Sequence, residues 1–168
     1  MLSEPTALVL YHLAETQRIT KCSAVSSLST KIEDYLSSVD LKTVVSNANE
    51  LYFTYLLNKN AKSYQSATNE KLSKQFVDLA KSDLVKKFNS KDWSYTGVSG
   101  LKIESLRVAS LLASLSSDNS DLTDVKDLVS TAAKNLLKQG VSEENGQFYV
   151  LTQAVAQKDS WLSSESVN

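Results

Sequence analysis

The sequence predicts an all-α fold of about seven helices, arranged as antiparallel αα hairpins in a partial αα-repeat toroid or a bundle. Three observations carry this prediction. Glycine (4) and proline (1) are too scarce for the turns that a sheet protein consumes. Apolar residues recur at i, i+3, i+4 and i+7 along most of the chain. Ser, Thr or Asp precedes several of these runs, where a short oxygen-bearing side chain caps free helical N–H groups.

Ser3-Glu4-Pro5 reads as an N-cap and first turn, with proline where its missing N–H costs nothing. Leu8, Leu10, Tyr11, Leu13 and Ala14 then carry a first helix to about Arg18. A second is expected over about 23 to 39, on Val25, Leu28, Ile32, Tyr35 and Leu36. Asp40 caps a third, about 41 to 58, and Ser66 or Thr68 opens a fourth, about 68 to 88. The longest irregular stretch runs from Asn89 to Gly100. The fifth helix, about 101 to 117, is apolar almost all round and is expected to be central. Thr123 caps a sixth, about 124 to 139, which Gly140 ends. Ser142 caps a seventh, about 143 to 158, carrying Phe148, Tyr149, Leu151, Ala154 and Val155. The reading is a single helical domain over 1–158 and a Ser-rich tail over 159–168. Helices one, three, five and seven are the more aromatic or the more uniformly apolar. Helices two, four and six are amphipathic. Such alternation suggests inner and outer helices of degenerate αα repeats.

At 168 residues the chain is large enough for a core without metal or disulfide. With 42% apolar and 22% charged residues, it is not disordered by composition. A formal net charge of -1 lacks the basic surplus of a general nucleic-acid binder. No run approaches the ~20 apolar residues of a membrane span. The N-terminal stretch has no basic region ahead of its apolar run, so it does not read as a signal peptide. The expectation is a cytoplasmic protein or a piece of a longer precursor.

Residues that carry chemistry are sparse. His12 is the only histidine and Cys22 the only cysteine, too few for a zinc site and without a nucleophile motif. No glycine-rich phosphate loop is present. Glu33/Asp34, Glu143/Glu144 and Asp118/Asp121/Asp124 read as helix-end acids. No catalytic, metal-binding or cofactor-binding residue is therefore expected, and the chain reads as non-enzymatic. Lys81, Lys86, Lys87 and Lys91 cluster at the end of the fourth helix, either to complement its dipole or to meet an anionic partner. Trp93 and Tyr95 follow, either as buried loop anchors or as a contact hot spot. Lys86, Lys87, Lys91, Trp93 and Tyr95 are the candidate contact with protein partners in a larger complex. The alternative is a small apolar ligand, such as a lipid, held among Tyr11, Tyr52, Tyr55 and Tyr149.

The segment from Trp93 to Leu115, a loop with glycines and a tyrosine leading into an apolar helix, resembles the luminal helical region of the ribophorin-II-type subunit of oligosaccharyltransferase. The Asp-Val-Lys-Asp-Leu run at 124–128, Phe148-Tyr149-Val150 and Leu10-Tyr11-His12-Leu13-Ala14 fit the same order. The resemblance implies a non-catalytic subunit in the endoplasmic reticulum lumen, supporting a membrane-bound protein-glycosylation complex. It carries over no catalytic residue.

Overall fold

The computed structural model describes residues 6–21, 27–91, 94–95, 103–139, 141–144, 147–151 and 162–166, with backbone alone from 136 onward. The fold class is all-α, as expected. Eight α-helices are described: α1 Ala7–Thr20, α2 Leu28–Ser38, α3 Leu41–Val44, α4 Ala48–Lys59, α5 Glu70–Leu79, α6 Val85–Lys87, α7 Ile103–Asp118 and α8 Thr123–Gln139. The chain falls into two compact units, Met1–Asp78 and Leu79–Asn168.

In the first unit α4 is the central element. Ala48, Leu51, Phe53, Tyr55 and Leu57 are buried, and so are the polar Thr54 and Asn58. α1 and α2 pack on it and on each other. α1 contributes Ala7, Leu10 and Ala14, while α2 contributes Leu28, Ile32 and Leu36. From α5, Phe76 meets Tyr55 edge-to-face, with centroids 5.4 Å apart. A 3-10 turn, Ala61–Tyr64, closes the end of α4.

Side-chain caps set the helix ends, some of them at positions the sequence reading did not choose. Asp40 caps as expected, accepting from the Lys42 N–H at 3.0 Å. The first described cap of α1 is Thr6, whose hydroxyl accepts from Val9 N–H; Ser3, Glu4 and Pro5 lie outside the described residues. The expected third helix is two helices. Asn47 accepts from Glu50 N–H at 3.1 Å and starts α4 afresh. α5 starts at Asn69, not at Ser66 or Thr68: the Asn69 side chain accepts from Leu72 N–H at 3.0 Å. The fourth helix then widens into a π turn, Ala80–Leu84, which places both Ala80 and Leu84 fully inside.

In the second unit α7 takes the central place expected of it, burying Val108, Ala109, Leu111, Leu112 and Leu115. A 3-10 turn, Ser120–Leu122, leads directly into α8. Thr123 is thus the first residue of α8, donating back to the Ser120 carbonyl at 3.2 Å. α7 and α8 pack on each other.

The described residues of the expected seventh helix, 143–144 and 147–151, are extended and not helical. They belong to an antiparallel sheet in the order β1-β2-β3, with β1 Val141–Glu144, β2 Gln147–Leu151 and β3 Leu162–Ser166. Ser142, expected as a cap, pairs with Tyr149, and Glu144 pairs with Gln147. Asn145-Gly146, which lies outside the described residues, is the dipeptide most favoured between paired strands as a matter of sequence. Phe148-Tyr149-Val150 is also a strand-favouring run. The Ser-rich tail is not featureless either, since β3 pairs Leu162 with Leu151.

The polar side chains of α4 knit the first unit. Glu50 Oε1 accepts from the Ala7 N–H at 2.9 Å and from the Tyr35 hydroxyl at 2.8 Å. The Tyr35 and Thr54 hydroxyls lie 2.7 Å apart. A carboxylate on α4 thereby satisfies a free N–H at the start of α1, a helix with no acid in its own first turn. Removing an acceptor from buried donors costs about 1–3 kcal/mol for each donor stranded. Glu50→Ala is expected to destabilise the protein by about 2–4 kcal/mol and Glu50→Gln by roughly 1 kcal/mol, measured by urea denaturation. The Glu50→Ala and Tyr35→Phe effects should be less than additive, because they break the same bond.

Candidate functional site

The basic cluster and the tryptophan loop divide into different kinds of residue. Lys86 and Lys91 are exposed. Lys87 is half-buried, its ammonium 2.7 Å from the Asp83 carboxylate one turn earlier. Lys91 donates its backbone N–H to Asn89 Oδ1 at 3.0 Å, a local Asx turn. Tyr95 lies inside, 2% exposed, and forms an antiparallel bridge with Phe88. Burial and the nearby Asp83 carboxylate push its phenol up to about 12. The Tyr95 side chain is thus packed inside the second unit. Asn135 on α8 reinforces the loop by donating to the Ser90 carbonyl at 3.0 Å. Trp93 lies outside the described residues, as does Cys22.

The tyrosines offered for an apolar ligand are engaged in packing. Tyr55 is buried against Phe76. Tyr11, Tyr52 and His12 all stack around Phe53, with centroids 5.2 to 5.5 Å from it. The side chain of Tyr149 lies outside the described residues. Among the described residues no group of three or more His, Cys, Asp or Glu could hold a metal ion, and no helix is long and apolar enough to cross a membrane.

The chemistry of the first unit gathers on α1, which presents two contrasting surfaces. Its inward side buries Ala7, Leu10 and Ala14. On the outward side Leu8, Val9, Leu13 and Ile19 are all at least 37% exposed, and Ile19 reaches 67%. Helical spacing places His12, Thr16 and Thr20 among them. The result is an apolar strip, interrupted by His12 and two threonines, that holds no Asp, Glu, Lys or Arg.

The charged residues of α1 lie along a different edge. The Arg18 guanidinium grips Glu15 through Nε, 3.1 Å from Oε1, and Nη2, 2.7 Å from Oε2. The Tyr64 hydroxyl donates to Glu15 Oε1 at 2.6 Å from the 3-10 turn. Bonds from Arg18 first and Tyr64 second hold the Glu15 carboxyl below the ordinary carboxylate range. Burial and then the Glu15 bond push the Tyr64 phenol up. Beside this cluster lies a cleft of about 380 Å³, lined by Gln17, Arg18, Lys21, Ser63, Tyr64 and Gln65 among others. Lys21 and Gln65, at φ 54° and 59°, are left-handed residues other than glycine. Sequence reading missed this cleft. Glu15 and Arg18 sit at salt-bridge spacing, but nothing local points to Tyr64, 49 residues away.

Compared with protein-family models, curated proteins and solved structures, the chain matches none.

The Glu15 cluster makes a signed prediction. A carboxylate whose folded value lies below its ordinary 4.5 contributes stability that is fully present above 4.5. That contribution is lost as the pH falls through the depressed folded value. Wild type should therefore lose stability more steeply than Glu15→Gln between about pH 5 and pH 3, measured by thermal unfolding across that range. Parallel profiles would show that the cluster is not coupled to folding.

Proposed function

We propose that the chain is a non-catalytic helical interaction module that holds a protein partner through the outward strip of α1. The observation that supports this reading is the strip itself: Leu8, Val9, Leu13 and Ile19 exposed together on one helix face. Exposed apolar side chains that share one helix face are the kind of surface at which partners dock. An apolar centre with polar edges is also the composition of contact cores. Here Glu15 and Arg18 supply the polar edge.

The ribophorin-II-type resemblance directs the reading further, to a subunit supporting a membrane-bound protein-glycosylation complex in the endoplasmic reticulum lumen. On that reading the chain contributes contacts and no turnover. Its basic residues Lys86 and Lys91, exposed in the second unit, are a secondary partner contact.

A photo-crosslinking residue placed at Leu13, and separately at the exposed Lys126 on α8, tests the proposal in the full chain in native cells. A defined adduct with one membrane-complex protein is expected from position 13 and not from 126. Val9→Asp should weaken that adduct about tenfold. The variant should stay folded, because Val9 is half exposed and an acid suits a first helical turn. Equal adducts from both positions, or none, would contradict the proposal. An adduct only with a second copy of the chain would replace it with self-association.

A further inference from the structure

We draw no further inference here: the strongest candidate, the polar hollow of about 330 Å³ between α1 and the 3-10 turn, lined by Tyr11, Glu15, Arg18, Asn60 and Ser63, has its two charged groups, Glu15 and Arg18, already paired with each other and is no built site.

Discussion

Glu50, Thr54 and Asn58 stand four residues apart on α4, and the rest of the first unit hangs on that polar row. A helix buried on most of its faces cannot leave such groups unpaired without a penalty. Each therefore finds a partner. Glu50 takes the first N–H of α1 and the hydroxyl of Tyr35 on α2. Thr54 shares the Tyr35 hydroxyl and returns its own to the Glu50 carbonyl at 2.7 Å. Asn58 mimics a strand partner for Asn69, accepting from its N–H at 2.8 Å and donating to its carbonyl at 3.2 Å. Asn69 passes the link on, donating to the Leu36 carbonyl of α2 at 2.8 Å. Apolar burial drives the helices together, but it is non-directional. The polar row selects their register.

The surfaces of α1 inherit this constraint. α1 carries both the outward strip and the rim of the cleft, and its start is held by Glu50. Its far end is held by a second cross-link, Tyr64 to Glu15. With both ends tied to other elements, the apolar strip keeps a fixed place on the unit. The second unit relies more on apolar packing of α7. Its polar links, such as Asn135 to the Ser90 carbonyl and Asn119 to the Leu115 carbonyl at 2.8 Å, secure a loop and a helix end.

What could be read from the sequence was whatever rests on local periodicity. The apolar spacing found α1, α2, α7 and α8, and the all-round apolar character of α7 foretold its central place. Asp40 declared itself a cap because its carboxylate acts within two residues. The misreadings arose where a second local signal competed with the apolar run. Asn47 and Glu50 have the spacing of a helix start, yet they sat inside a continuous apolar pattern. Asn145-Gly146 signalled a hairpin, yet Phe148, Tyr149 and Leu151 also fit a helical face. Tyr95 could have faced either way, and no local spacing marks it as the buried residue that it is. The cleft was not legible at all. Tyr64 and Gln65 reach α1 across more than forty residues, and no local pattern encodes such a meeting.

The most direct test of the polar row is amide hydrogen exchange at Ala7 and Asn69. Each N–H is bonded to a side chain of α4 and to no helical carbonyl, so in an isolated helix each would exchange as a frayed end. If Glu50 and Asn58 hold the unit together, both amides should exchange as slowly as those in the middle of α4, opening only when the whole unit unfolds. Exchange at the rate of exposed helix ends, with α4 still protected, would show that apolar packing alone sets the arrangement and that the polar row merely accompanies it.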